Sequence, residues 1–318
     1  MNKGIDISVV MTTFNRCTLL RQALKNLLNQ DSRPHYEVII VDNNSTDQTR
    51  QTIESFIQRG YSHLRYIFEP RQGISCGRNT GVTHARAPII AFTDDDVRVA
   101  TNWLVKIKTT FDEHPEVDFV GGKILPSWPH EPPSWLSEDH WWPLALLDAG
   151  NDSFYVTATN PMVLPTANAA FRREAFCRVG LFSTAFSVSE DHELILRLWR
   201  EGRQGLYEPT IIVTADVQAA RMVKSYHRRW NYRTGKFNSM MRLNEITASD
   251  GRLMEKPTNG PTIFGVPTYI FRQLMYEGFC WFRTLFQESK RLQHENQICY
   301  LTGYITKRLE DRRKSRSQ

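Results

Sequence analysis

The chain has 318 residues, 41% hydrophobic and 23% charged, enough for one large domain or two with a substantial core. This composition excludes collagen-like chains, disulfide scaffolds and wholesale disorder. Lys and Arg number 40 against 34 Asp and Glu, a formal +6, and the excess sits in two places: the stretch from Lys307 onward, and Arg221 to Arg242 with Lys224, Arg228, Arg229, Arg233, Lys236 and no acid between.

In chain order, residues 5–125 alternate strand-like apolar runs with amphipathic helical stretches. The strands are expected at Ile7–Met11, Val38–Val41, Leu64–Phe68, Ile89–Phe92 and Phe119–Ile124. The helices between them are expected near Leu19–Leu28, Gln48–Ile57, Gly77–His84 and Trp103–Phe111. Strand and helix at this spacing predict an α/β fold with a mostly parallel sheet flanked by helices. Residues 126–166 break the rhythm with Pro129, Pro132, Pro133 and Pro143 and with Trp128, Trp135, Trp141 and Trp142, which reads as a long ordered excursion. Regularity returns with Val163–Phe171, a helix from about Ser189 to Glu201 and a strand at Gly205–Val213. Three helical segments follow, at about 220–245, 267–289 and 290–313, and do not continue the α/β alternation.

The N-terminal apolar run is short and alternates with polar residues, so it reads as a strand rather than a signal peptide. No stretch has the ~20 uninterrupted apolar residues of a spanning helix. Cys17, Cys76, Cys177, Cys280 and Cys299 form no CxxC pair, which suits a reducing, cytoplasmic setting. Local rather than uniform basicity argues against nucleic acid and for a phosphate-bearing substrate or an anionic membrane surface.

Ligands of an open parallel sheet bind off the carboxyl ends of the strands. After the first strand comes Thr12-Thr13-Phe14-Asn15-Arg16, after the second Asp42-Asn43-Asn44-Ser45-Thr46-Asp47, and after the fourth Thr93-Asp94-Asp95-Asp96. Clustered carboxylates call for a counter-cation, and hard oxygens select Mg or Mn. Asn44, Ser45 and Asp47 equally suit a helix cap, whereas three successive aspartates exceed what a turn needs. Gln72–Gly81 is a glycine-rich entry to a helix, neither GxGxxG nor a P-loop, with Arg78 near its start. Ser189-Glu190-Asp191-His192-Glu193 opens another helix, where acids favour the dipole and a first-turn Asp can also project into a cleft as a general base. Position alone leaves Asp191 open between the two.

The stretches VVMTTFNR (9–16), VIIVDNNSTDQT (38–49), GISCGRNTGV (73–82), IIAFTDDDV (89–97), NAAFRREAFCRVGLF (168–182) and SEDHELILRLWREG (189–202) together resemble a family-2 glycosyltransferase of the GT-A, Rossmann-like fold. The resemblance spans roughly residues 5–235. It implies a catalytic domain over 1–235, with a nucleotide-binding half at 1–125 and an acceptor and base half at 126–235, followed by the helical extension 236–318. It implies a nucleotide-diphospho-sugar donor (UDP-, GDP- or dTDP-linked), Mn or Mg, a saccharide or lipid-linked hydroxyl acceptor, and inversion at the anomeric carbon. By the same resemblance Thr12, Asp42 and Arg78 contact the nucleotide. Asp94 and Asp96 match a DxD motif, Asp94 approaching ribose and metal and Asp96 the metal, while Asp95 leaves open which pair serves. Asp191 matches the base of the ED pair, supported by Glu190.

The sequence departs from that family in two ways. The strand Thr210–Asp216 carries no His where many relatives place a metal ligand; Asp216 is either an oxygen substitute or a cap for the helix at Ala220. Tyr226-His227-Arg228-Arg229-Trp230 keeps only the Arg-Trp of the processive QxxRW motif, which predicts single-sugar addition. Arg228 or Arg229 is expected either near the diphosphate or on a solvated face. Asn168 is expected either to face the donor sugar or to satisfy loop backbone. The stretch Phe264–Phe286, aromatic with Arg272, Glu277 and Arg283 its charges, together with the basic tail, fits peripheral attachment to an anionic leaflet or an intramolecular helical contact. The competing functions are a nucleotidyltransferase acting on a sugar phosphate and a decayed, glycosyltransferase-like binding protein.

Overall fold

The computed structural model describes residues 4–30, 34–247, 252–254 and 260–316. Residues 1–3 of the N-terminal run, and 248–251, 255–259 and 317–318 of the helical extension, lie outside them. The chain forms two compact units, one of residues 1–127 and 146–216, the other of 128–145 and 217–318.

The first unit alternates β1 (Ile7–Thr13), α1 (Cys17–Leu27), β2 (Tyr36–Asp42), α2 (Thr49–Gln58), β3 (Leu64–Phe68), α3 (Ile74–His84) and β4 (Ile89–Thr93). It continues through β5 (Val97–Val99), α4 (Trp103–Glu113), β6 (Phe119–Ser127), β7 (Phe154–Val156), β8 (Asn168–Arg172), α5 (Arg173–Val179), α6 (Glu190–Arg200) and β9 (Gly205–Asp216). The strands make a nine-stranded sheet in the order β3-β2-β1-β4-β8-β6-β9-β5, with β7 also pairing β9. β3, β2, β1 and β4 run parallel, whereas β8 runs antiparallel between β4 and β6. The central strands are apolar because both faces are covered: Val9, Val38 and Ile40 on one face, and Val10, Ile39 and Ile90 on the other, are buried. Three short elements, β5, β7 and α5, have too few residues to show a period and are absent from the sequence-based expectation.

The sheet's geometry brings one edge together. In the β1–β2 register Thr13 pairs with Asp42, and in the β4–β8 register Thr93 pairs with Asn168. The carboxyl ends of β1, β2 and β4 and the start of β8 therefore share that edge. Close packing holds α3 against it. A Cβ on Gly77 would lie 2.3 Å from Thr12 Cγ2, and one on Gly81 2.2 Å from Val10 Cγ1. Glycine at these two positions lets α3 press on β1 and carries Arg78 to the edge.

The second unit contains α7 (Lys224–Met241), α8 (Leu243–Ile246), the small hairpin β10 (Thr262–Ile263) and β11 (Val266–Pro267), α9 (Thr268–Arg283) and α10 (Glu288–Arg316). The expected domain boundary at 235 falls inside α7, which belongs wholly to this unit. The reason is its tight seam with α10: a Cβ on Gly235 would lie 2.0 Å from the Tyr300 carbonyl oxygen, and one on Gly303 2.0 Å from that of Tyr232. Three basic side chains of the run between Arg221 and Arg242 find counter-charges on α10, while Arg229 stays exposed to solvent. Arg228 Nε bonds Glu295 at 2.8 Å, Lys236 bonds Glu310 at 2.9 Å, and Lys224 pairs with Glu288. Trp135 from the excursion is buried edge-on against His227 with ring centroids 5.2 Å apart. Burial lowers the His227 pKa to about 4.

Candidate active site

Two loops frame the nucleotide side of the edge, and polar side chains lace them together. The Asn15 amide donates to Ser45 Oγ at 2.9 Å, the Thr46 amide to Asn15 Oδ1 at 2.7 Å, and the Cys17 amide, at the start of α1, to Asp47 Oδ2 at 3.0 Å. Asn15 and Asn44 take φ of 52° and 68°, the left-handed region that Asn tolerates better than most residues. Asp47 also accepts from the Thr49 amide at 3.0 Å, but it lies one residue ahead of Gln48, the N-cap of α2, so none of Asn44, Ser45 and Asp47 occupies the cap position. Asp42 is 2% exposed; it accepts from the Ser45 amide at 2.9 Å and from the Tyr66 hydroxyl at 3.0 Å. Burial first, then the Asp42 charge, pushes the Tyr66 phenol up to about 12. Thr12 Oγ1 is a buried hydroxyl without a hydrogen-bond partner in the protein.

The three aspartates after β4 have three different environments. Asp95 is 3% exposed and points inward: Thr13 donates to one oxygen at 2.6 Å and Arg16 to the other at 3.0 Å. Burial raises its carboxyl to about 6 against the pull of Arg16. Asp96 accepts from the same guanidinium at 3.2 Å. Asp94 is the most open of the three, its side chain 31% exposed, and lies 3.4 Å from Arg78 Nη2. Asp94 is thus the open hard oxygen donor of the three, while Asp96, 8% exposed, is tied to Arg16. Among the described residues no three His, Cys, Asp or Glu side chains converge to hold one by themselves. Two carboxylates suit a Mg2+ or Mn2+ ion that completes its shell from phosphates and water.

Arg78 joins this cluster to the start of α6. Its guanidinium, 6% exposed, pairs with Glu190 as well as Asp94. Burial works against that charge, but Glu190, Asp94 and Asp191 outweigh it and hold the Arg78 pKa up. Asp191 is next in line and half-buried. It accepts from the His192 amide at 2.8 Å and the Thr166 amide at 3.4 Å. Burial first, and then the neighbouring Glu190 charge, raises the Asp191 pKa to about 6. The turn into α6 is strained, since Ser189 has φ of 64° and makes no side-chain cap.

Glu190, Asp191, Asp94 and Arg78 thus form one connected charge cluster, with Asp95 and Asp96 beside it and Thr12 and Asp42 on neighbouring strands. Arg16, which ties Asp95 and Asp96 together, stood in the sequence only as the last residue of a loop. Its role needed the β1–β4 pairing to become visible. Asn168 does not face a ligand: 1% exposed, it donates to the Lys123 and Ile211 carbonyls and accepts from Trp103 Nε1 at 2.7 Å. Asp216 ends β9 and pairs with Arg98 at 2.6 Å, and the turn at Ala219–Arg221 is preceded by Gln218, so Asp216 caps no helix.

Comparison with known proteins adds the following. A sequence profile described as Glycosyl transferase family 2 matches residues 8–180. The chain is 24% identical over 186 residues to a glucosyl-dolichyl phosphate glucuronosyltransferase of Haloferax volcanii, covering 57% of this chain and 56% of that protein. It is 34% identical over 92 residues to a GalNAc(5)-diNAcBac-PP-undecaprenol beta-1,3-glucosyltransferase of Campylobacter jejuni, covering 28% of this chain and 29% of that one. The matches thus span about half, or less, of these relatives' lengths. Among solved structures, the mannosyltransferase PcManGT of Pyrobaculum calidifontis, solved with GDP-Man and Mn2+, superposes with a TM-score of 0.63 at 18% identity, over 98% of this chain and 88% of that one.

Proposed function

The chain belongs to glycosyl transferase family 2 and has the GT-A fold, and from that premise we propose that it moves a sugar from a nucleotide-diphospho-sugar to a hydroxyl acceptor with inversion, in the synthesis of a glycolipid or polysaccharide. The observation that carries the reading is the single charge cluster in which Arg78 links Asp94, the first of the DxD aspartates, to the Glu190–Asp191 pair. Donor-binding and base-bearing elements are far apart in sequence, and this arginine sets them side by side.

In this reading the Thr12 hydroxyl and the Asp42 carboxylate meet the nucleoside, and Asp94 and Asp96 hold a Mg2+ or Mn2+ ion. Such an ion, when bound, neutralises charge that collects on the departing diphosphate. Arg16 and Thr13 hold Asp95 inward, Arg16 also braces Asp96, and Asp94 stays the most open of the three. Asp191, with its raised pKa, takes the proton from the acceptor hydroxyl as that oxygen attacks the anomeric carbon from the face opposite the leaving group. Glu190 orients Arg78 and keeps Asp191 basic. No covalent sugar–enzyme intermediate is required. The relatives named for dolichyl- and undecaprenol-linked substrates support a lipid-linked acceptor, and such an acceptor would set the transfer at an anionic membrane surface.

A donor screen tests the proposal. Purified protein is incubated with UDP-, GDP- and dTDP-sugars, Mn2+ or Mg2+, and polyprenyl-phosphate-linked or free saccharide acceptors, and nucleoside diphosphate release is followed. One donor class should give acceptor-dependent release. Silence with all of them, in calorimetry as well as turnover, overturns the reading. A nucleotidyltransferase would instead release pyrophosphate from a nucleoside triphosphate.

A further inference from the structure

α9 is amphipathic with its faces reversed. Its inner side meets α10: Ile270 is fully buried with Leu301 and Tyr304, Leu274 packs beside them, Glu277 pairs with His294 at 2.7 Å, and Trp281 Nε1 donates to Glu295 at 3.0 Å. The acid of this helix is therefore turned inward. Its outer side carries Met275, Tyr276, Phe279 and Phe282, followed in the turn beyond by Phe286, with exposures from 59% (Phe279) to 101% (Phe286). These positions recur at intervals of three and four and so share one helix face. The exposed charges along the same face are Arg272 and Arg283, both positive, and Arg283 lies 5.6 Å from the Phe279 ring centroid. At the adjoining hairpin Phe264 is 64% exposed, with Arg312 5.4 Å from its ring centroid.

We propose that the outer face of α9 docks on an anionic lipid bilayer, lying in the plane of the interface. Exposed aromatic and thioether side chains on one face, flanked by cations and free of acid, match a headgroup layer with acyl chains beneath it. No helix among the described residues is long and apolar enough to cross a membrane, so this face lies on the bilayer and does not span it. Charge favours this occupant over a second copy of the chain, because a two-fold pairing would press two faces of like charge together. A polar protein partner would leave the rings in contact with water-seeking groups. The inference deepens the membrane setting proposed above and rests on it only for its biological sense, since the surface is read without any reference to turnover.

The test is flotation of the full chain with phosphatidylcholine vesicles made with or without phosphatidylglycerol. The protein should float with anionic vesicles at low salt and far less with neutral ones. Because the rings are exposed, F279S and F282S should keep the wild-type helical circular dichroism and melting temperature. Each should lower vesicle partitioning about tenfold, the loss of most of one buried ring. R272Q and R283Q should each lower it about fivefold at low salt and hardly at all at high salt. No flotation with anionic vesicles at low salt overturns the proposal. So does flotation unchanged in the F279S/F282S double variant, or a concentration-dependent dimer that the same variant abolishes without vesicles. Transfer to a water-soluble acceptor, assayed on the same preparation, reads the catalytic proposal separately, so either can fail while the other stands.

Discussion

A carboxylate that is to accept a proton from an alcohol must be ionised at working pH and yet more basic than a surface aspartate. Asp191 meets both needs through burial and the adjacent Glu190 charge, which together raise its pKa to about 6. Asp191→Asn should cut kcat by about 10²–10⁴-fold while calorimetry shows donor binding intact. Near-wild-type turnover in that variant would sink the assignment. For the wild type, kcat/KM should climb as pH rises through about 6 and level off above it, because the ionised form is the active one. The stability linkage has the opposite sign. A folded-state pKa of about 6 above the ordinary 3.8 means that this group favours the fold fully below pH 3.8 and loses that contribution as pH rises past 6. Activity and this share of stability therefore trade against each other, as a strained functional site leads one to expect.

Helix α3 shows how the packing of an element places a charged residue it carries. Its contact with β1 is so close that Gly77 faces Thr12, a β-branched side chain with little freedom to move aside. Gly77→Ala should push α3 off the strand, shift Arg78 from Glu190 and Asp94, and lower kcat/KM at least tenfold. It should cost about 1–3 kcal/mol of stability, the usual range for overpacking, measured by denaturant unfolding. The α7–α10 seam is the counterpart in the second unit. There an added Cβ meets backbone, which cannot swing away, so Gly235→Ala should destabilise by an amount at the upper end of the same range, read as a lowered melting temperature. Wild-type behaviour in either variant would show that these contacts are looser than described.

At the scale of the whole molecule the proposed chemistry depends on something the protein cannot supply by itself. With two candidate carboxylates and no three-ligand cluster among the described residues, a divalent cation would be held jointly by Asp94, Asp96 and the donor's phosphates. Metal affinity and donor affinity should therefore be coupled. EDTA should abolish transfer, and Mn2+ or Mg2+ should restore it. The apparent affinity for a nucleoside diphosphate, measured by calorimetry, should fall at least tenfold without metal. Equal affinity with and without metal would remove the cation from the site.

The parallel half of the sheet was legible before any coordinates, because β1, β2 and β4 are buried on both faces and read as apolar runs ending in polar loops. The same is true of the acidic character of Asp94–Asp96 and Asp191, since a chain seldom gathers so many carboxylates without a use for them. What the sequence left open were pairings between distant residues. Asp95 belongs to Thr13 and Arg16, Arg78 to Glu190, Asn168 to Trp103, and Arg228 to Glu295. Each of these partners lies tens of residues away, so only the folded chain could decide which oxygen or guanidinium was already taken. Local pattern reports how a segment meets solvent and core; whether a charge is available to a ligand depends on what the fold sets opposite it.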